Sequence, residues 1–121
     1  MGRSTATESD PIEQRLPLSA ADCHLLLALA REDLYGYALL QAMAEDSGGT
    51  VGMDIGALYR ALDRLQRAGL IERSERREDR PHRGKSRRYY RLTRLGAAVL
   101  EAELDRLRRV LELAGLEGAR S

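Results

Sequence analysis

The side-chain pattern of residues 55–68 predicts an amphipathic helix with two unlike faces. This segment constrains the fold more than any other. Apolar side chains recur three and four positions apart along one face: Ile55, Leu58, Leu62 and Leu65. Small and cationic side chains follow on the roughly opposite face: Ala57, Arg60, Arg64 and Arg67. Asp54 is a favourable N-cap, and Gly69 ends the segment. Such a helix needs a packed body on one side and an exposed surface on the other.

The surrounding segments predict a mainly α-helical fold with a small β-hairpin. Two helices are expected earlier, over about 20–31 and 35–47, with these side chains facing inward: Leu25, Leu26 and Leu29 on the first, and Leu39, Leu40 and Met43 on the second. Short strands are expected over about 70–76 and 87–92, around a charged loop at 77–86 that contains Pro and Gly. Strand alternation would place Arg88, Tyr90 and Leu92 on one face and Arg87, Tyr89 and Arg91 on the other.

Three helices, a hairpin and a long final helix after Thr93 make the winged helix-turn-helix arrangement. A chain of 121 residues is long enough for one domain with a real core. We expect a flexible tail over 1–15, the winged helix-turn-helix over 16–93, a dimerisation helix over 94–114 and a second flexible tail over 115–121.

The net charge of +1 conceals a strong asymmetry along the chain. Residues 60–94 carry 13 basic and five acidic side chains, a net of +8, whereas residues 1–59 carry a net of −6. This predicts a positive surface beside an acidic one, as expected when one face meets a polyanion. In the hairpin loop, Arg83, Lys85 and Arg87 are placed to reach backbone phosphates or the adjacent minor groove. The five Tyr are the only aromatics, so base stacking of the kind used by RNA readers is less favoured than duplex DNA.

Plainer interpretations remain open for each feature. The arginine face is also typical of a solvated helix with an Asp63–Arg67 ion pair, and the loop of an exposed charged turn. A winged helix that binds a protein partner, without specific DNA binding, is the main alternative function. Because both cationic features fall within one stretch, we favour DNA and predict that Arg60→Ala or Arg64→Ala lowers operator affinity far more than fold stability.

The last helix carries a seam of apolar residues spaced alternately three and four apart: Ala97, Leu100, Leu104, Leu107, Leu111 and Ala114. We expect a homodimer through Leu100, Leu104, Leu107 and Leu111, with Val99, Val110 and Leu113 packed on the domain body. The alternative is a core helix within a single copy. A twofold dimer would require a near-palindromic DNA site, with half-sites about one helical turn (~34–36 Å) apart.

Several classes of function have no support in the sequence. One Cys excludes a disulfide framework and a Cys-pair zinc site within one chain, and no arrangement resembles a catalytic set, so we expect no enzyme activity, metal or cofactor. Cys23 is interpreted as a core residue with a redox role as the alternative, and Tyr35, Tyr37 and Tyr90 as packing residues. No apolar run approaches the ~18 residues of a spanning helix, and no secretory leader is visible, so a cytoplasmic protein is expected.

Three segments resemble the PadR family of transcriptional regulators. They are 35–40 (Tyr-Gly-Tyr-Ala-Leu-Leu), 56–65 with Gly69-Leu70-Ile71 after it, and 88–93 (Arg-Tyr-Tyr-Arg-Leu-Thr) with Gly96. The resemblance implies a homodimeric DNA-binding regulator, most often a repressor, that a small ligand or another signal releases. It also implies that Tyr59, Arg60 and Arg64 face DNA, together with Lys85 and its Arg neighbours. The family commonly has Ser-Pro-Gly-Thr where this chain has residues 54–57, so base preference does not transfer.

Overall fold

The computed structural model describes residues 12–75 and 88–116, which hold four α-helices, three short strands and one turn of 3-10 helix. In chain order these are the 3-10 turn Glu13–Arg15, α1 (Ala20–Arg31), β1 (Leu34–Tyr35), α2 (Gly36–Asp46), α3 (Ile55–Arg67), β2 (Ile71–Arg73), β3 (Tyr89–Leu92) and α4 (Arg94–Ala114). The predicted winged helix-turn-helix with a long final helix is confirmed. None of the helices in these ranges combines the length and the apolar character that crossing a membrane requires.

Helix α1 lies at the centre of the core, where it packs against α2, α4 and β3. The Ser19 hydroxyl accepts a hydrogen bond from the backbone N–H of Asp22 at 3.0 Å, and this N-cap starts the helix. The predicted inner face is confirmed, because Leu25, Leu26 and Leu29 are all buried. Burying each such side chain contributes about 1.5–3 kcal/mol, so this face holds much of the fold together.

A short turn joins α2 to α3. Gly48 and Gly49 end α2 with positive φ angles of 65° and 85°, a conformation that favours glycine. The Ser47 hydroxyl then accepts a hydrogen bond from the backbone N–H of Val51 at 2.9 Å, which holds the turn together. The next helix begins after Asp54, whose carboxylate accepts from the N–H of Ala57 at 2.7 Å. The chain therefore enters α3 in a fixed direction.

The sheet has the order β1-β3-β2, and both pairings are antiparallel. The two hairpin strands were predicted, whereas β1 was not. The predicted alternation of β3 stays a prediction, but neither of its faces is a solvent face, because Tyr89 and Tyr90 are both buried. Since β3 is the central strand, Tyr35 of β1 covers its second face, and the Tyr35 and Tyr89 rings meet edge to face with centroids 5.5 Å apart.

Helix α4 has two different halves. Thr93 starts it by accepting from the N–H of Gly96 at 2.9 Å and by donating to the carbonyl of Gly69 at 2.6 Å. The first half packs on α1 and buries Val99, Leu100 and the carboxylate of Glu103. From residue 107 to the end of the helix every side chain is exposed. The prediction that Val110 and Leu113 pack on the body is therefore wrong, because the body ends before this part of the helix.

At the other end of the described chain, Ile12 and Leu16 pack partly against the core on either side of the 3-10 turn. The predicted flexible tail over 1–15 therefore includes an ordered turn at Glu13–Arg15. The remaining domain boundaries stay predictions. Residues 1–11, 76–87 and 117–121 lie outside the described residues.

Candidate nucleic-acid interface

The inner face of α3 fixes the helix on the body. Leu58, Leu62 and Leu65 are buried against the core, as predicted. Ile55, expected in the same stripe, is 47% exposed, and Gly56 beside it is exposed as well. The first turn of α3 extends past the elements that cover the rest of this face, so Ile55 belongs to the surface.

The outer face of α3 is exposed and cationic, but its three arginines are in different environments. Arg60 forms no hydrogen bond or ion pair within residues 12–75 and 88–116. The Arg67 Nε lies 3.1 Å from a carboxylate oxygen of Asp63, one turn earlier, and both side chains are mostly exposed. This is the ion pair that the plainer interpretation of the helix expected, and pairs so exposed stabilise a helix by only a few tenths of a kcal/mol.

Arg64 is held by a residue of another helix. Its Nη1 donates to Oδ2 of Asp22 at 2.9 Å and its Nη2 donates to Oδ1 at 2.8 Å, so the pair is bidentate. The Asp22 side chain is 11% exposed and that of Arg64 is 59% exposed. Hydrogen bonding to Asp22 raises the pKa of Arg64 above its ordinary value, so the guanidinium stays charged. Sequence reasoning missed this pair because its members lie 42 positions apart.

Two tyrosines, one on α2 and one on α3, are exposed. Tyr59 is 45% exposed, and its hydroxyl lies over the first residue of α2, because a Cβ at Gly36 would stand 2.6 Å from that oxygen. Gly36 therefore allows the two helices to approach closely. Tyr37 is 62% exposed, so its interpretation as a packing residue is wrong. Its place near the start of α2 adds a phenol that sequence analysis did not include among the site residues.

The remaining predicted DNA contacts divide into two groups. Ala57 is half-buried in the first turn of α3, where its N–H is occupied by the Asp54 cap. Arg83, Lys85 and Arg87 of the hairpin loop lie outside the described residues, so they remain predictions. Arg88, at the start of the second described range, is exposed.

The predicted dimer seam has a part in the core and an exposed part, as α4 itself has. Leu100 is 5% exposed and belongs to the core of a single copy, so it is not available for a partner and this assignment is corrected. Leu104 is half-buried against the same core. Leu107 and Leu111 are exposed, and with their apolar neighbours they define the C-terminal apolar strip: Leu107, Val110, Leu111, Leu113 and Leu116.

An ion pair between a buried glutamate and a half-exposed arginine lies just before this strip. Oε1 and Oε2 of Glu103 accept from Nε and Nη2 of Arg106 at 2.9 and 2.8 Å, and Oε1 also accepts from the N–H of Leu18 at 3.3 Å. Hydrogen bonding to Arg106 holds the pKa of Glu103 below its ordinary value. The spacing of three permits this pair, but the burial of Glu103 could not be predicted from the sequence, since glutamate is common on exposed helix faces.

Cys23 lies nearby on α1 and is buried, which agrees with its interpretation as a core residue. Burial raises the pKa of its thiol, and this disfavours the reactive thiolate. The neighbouring His24 has a buried Nδ1 without a hydrogen-bond partner in the described part of the chain. No group of three or more His, Cys, Asp or Glu side chains within residues 12–75 and 88–116 is placed to hold a metal ion.

Comparison with known proteins assigns this fold to a family. Residues 25–102 match the family described as the transcriptional regulator PadR-like family, and this span covers most of the chain. The chain belongs to the PadR-like family. No protein of curated function matches the sequence significantly. The resemblance found in three short segments therefore extends over the second half of α1, the helix-turn-helix, the sheet and the first turns of α4.

Solved structures share the fold of this PadR-like chain. A PadR-like regulator from Bacillus cereus is 27% identical with a TM-score of 0.65, and the alignment covers 87% of this chain and 98% of that one. A PadR family regulator from Clostridium difficile is 25% identical, with a TM-score of 0.64 and coverage of 80% and 96%. Bacillus subtilis PadR, solved in complex with operator DNA, is 23% identical with a TM-score of 0.60, and 73% of this chain aligns with 48% of that chain.

Proposed function

We propose that this PadR-like chain is a sequence-specific regulator that binds duplex DNA through α3. The observation that carries the proposal is the division of that helix into a face buried on the body and an exposed face that presents Arg60, Arg64 and Arg67. A helix of this kind fits the major groove, where arginine side chains donate hydrogen bonds to guanine edges. The operator complex of the Bacillus subtilis relative supports the same use of the shared fold.

The proposed surface extends beyond the arginine face. Ala57, which is half-buried, and Tyr59, which is exposed, lie in the first half of α3. The loop cations Arg83, Lys85 and Arg87 would contact phosphates beside the groove, since contacts of that kind set the position of a protein on DNA. Tyr37, exposed near the start of α2, adds a hydroxyl that can donate to a phosphate.

The functional unit of this proposal is a homodimer. The C-terminal apolar strip exposes five large apolar side chains on the last turns of α4 and just after it, and pairing with a second copy would remove them from water. Leu107 and Leu111 belong to this strip, and Leu104 would pack at its edge. Two copies related by a twofold axis would present two α3 helices to a near-palindromic operator.

Repression by occlusion of a promoter is the mode of action that we propose. A small ligand or another signal would change the angle between the two copies and so the spacing of their α3 helices. This regulator would act by binding alone, without catalysis, cofactor or metal, and it would do so in the cytoplasm.

The test is a selection of bound duplexes from random DNA with the full-length protein, followed by a salt titration of the selected operator. We expect a near-palindromic site, and an affinity whose logarithm falls with the logarithm of salt concentration by about 0.9 for each neutralised phosphate. Binding that ignores sequence, or no binding to duplex DNA at all, would favour the protein-interaction alternative. A flat salt response would remove the argument from phosphate contacts.

A further inference from the structure

Three arginines share the exposed face of α3, yet only one of them is held by a mostly buried acid. Arg60 has no partner in the described ranges, and Arg67 pairs with an exposed carboxylate on its own helix. Arg64 instead gives two donors to both oxygens of Asp22, on α1. The net charge that each arginine presents to DNA therefore differs, although the sequence shows three equivalent cations.

The geometry leaves Arg64 on the surface and places its counter-charge beneath it. Two of the five N–H bonds of the guanidinium are used by Asp22, so three remain for other acceptors. The backbone N–H of Asp22 is held in turn by the Ser19 hydroxyl at 3.0 Å, which fixes the carboxylate at the start of α1. Arg64 thus keeps hydrogen-bond donors in a fixed position while its charge is largely cancelled.

We propose that Asp22 is a positioning residue that determines specificity, because it withholds the charge of Arg64 from DNA phosphates. The inference rests on the proposed DNA-binding function. Phosphates are present in every duplex, so a free cation on α3 strengthens binding to all sequences alike. A cation held by Asp22 contributes little to this sequence-independent part of the binding free energy. Discrimination between sequences is then left to hydrogen bonds at base edges.

The decisive variant is Asp22→Asn, which keeps the shape of the side chain and removes its charge. The amide nitrogen brings two donors against the donors of Arg64, so the bidentate pair cannot form. We expect the salt dependence on a random-sequence duplex to steepen by about 0.9. Between about 50 and 200 mM salt this corresponds to an additional loss of affinity of about 3–4-fold, with the variant binding more tightly at the lower concentration. The ratio of operator to random-duplex affinity falls accordingly.

Two controls show whether the effect passes through Arg64. In the Arg64→Gln background, the additional change Asp22→Asn should leave the salt slope unaltered. Asp105→Asn removes the same charge from an exposed pair with Arg108 on α4, and it should not reproduce the effect. The proposal is overturned if Asp22→Asn still steepens the salt slope in the Arg64→Gln background, or if Asp105→Asn steepens it equally. Either result would show that the slope reflects net charge alone.

Single substitutions of the arginines test whether Arg64 contributes less than Arg60 to the salt dependence of binding. Arg60→Gln should lower the salt slope by about 0.9, whereas Arg64→Gln should lower it by well under that amount. A cooperative thermal unfolding transition shows that each variant is folded. If Asp22→Asn fails to fold, the two arginine variants alone test the role of Asp22. Equal losses of slope overturn the role of Asp22 but leave the proposed function intact. Wild-type protein that binds no duplex overturns both.

Discussion

Gly96 lies where α4 crosses the backbone that follows α3, and no side chain fits there. A Cβ at this position would stand 2.0 Å from the carbonyl oxygen of Leu70 and 2.8 Å from Cδ1 of Leu92. We expect Gly96→Ala to lower the free energy of unfolding by about 1–3 kcal/mol, because the backbone of one element must move away from the other. Urea denaturation measures this change. Gly52→Ala is the control, since its Cβ would meet nothing within 4 Å, and similar losses in both variants would contradict this explanation.

Glu103 makes the stability of the protein dependent on pH. Its pKa is lower in the folded chain than its ordinary value of 4.5, chiefly because Arg106 donates hydrogen bonds to it. On acidification the unfolded chain therefore binds the proton first. The stabilisation is complete above about pH 4.5 and is lost as the pH falls through the lower folded value.

We accordingly expect Glu103→Gln to lower the free energy of unfolding by about 1 kcal/mol at neutral pH, with a smaller difference from wild type in acid. Urea denaturation between pH 7 and about pH 3 measures both quantities. Glu101→Gln removes the same charge from an exposed position of α4 and serves as the control. If the difference between Glu103→Gln and wild type stays constant across this range, the ion pair is not its source.

At the scale of the elements, α3 carries two exposed arginines with different environments: Arg60 has no partner in the described ranges, whereas Arg64 is bonded to Asp22 of α1. We expect Arg60→Ala to lower operator affinity without a measurable change in stability, because its guanidinium has no partner in the described part of the chain. Arg64→Ala should also lower the free energy of unfolding, by about 1–3 kcal/mol, because it leaves the mostly buried Asp22 carboxylate without its donors.

Gel-shift titrations and thermal melting of the two variants test this contrast. The structure thus alters the prediction made from sequence, which treated Arg60 and Arg64 alike. Equal stability of both variants would contradict the bridging role of Arg64. A loss of stability without any loss of affinity in Arg60→Ala would contradict the assignment of that residue to the DNA surface.

Local signals account for what the sequence could predict about the elements. Ser19, Asp54 and Thr93 each cap a helix through their own side chains, and the helices therefore begin where expected. Two of the misses depend on partners distant in sequence. β1 exists only through its pairing with β3, and the Asp22–Arg64 bridge joins two helices that sequence periodicity treats separately. Periodicity shows which face of a helix is apolar, but not where the body that covers it ends.

At the scale of the whole molecule, every side chain of α4 from residue 107 on is exposed, so the proposed dimer can be tested apart from the fold. We expect Leu111→Glu to leave the fold of each copy unchanged and to weaken the dimer, because a charge would replace an exposed apolar side chain of the strip. Operator affinity should fall with it, since a single copy contacts only one half-site. Sedimentation velocity gives the oligomeric state, and circular dichroism checks the fold.

Arg109→Glu, a change at another exposed position of the same helix outside the strip, is the control for added negative charge. If Leu111→Glu sediments like wild type, the strip does not mediate assembly. If the control also dissociates, charge rather than lost apolar contact explains the result.

The division of α4 has a consequence for how the protein responds to its own abundance. A few turns of helix without tertiary support are only marginally stable in water, so the distal turns would fray when no second copy is present. At low concentration, each copy would therefore combine a folded winged helix-turn-helix with a partly unwound C-terminal half of α4. Formation of the proposed dimer would then be coupled to folding of these turns, and the fraction of operator bound would rise more steeply than the concentration of the protein.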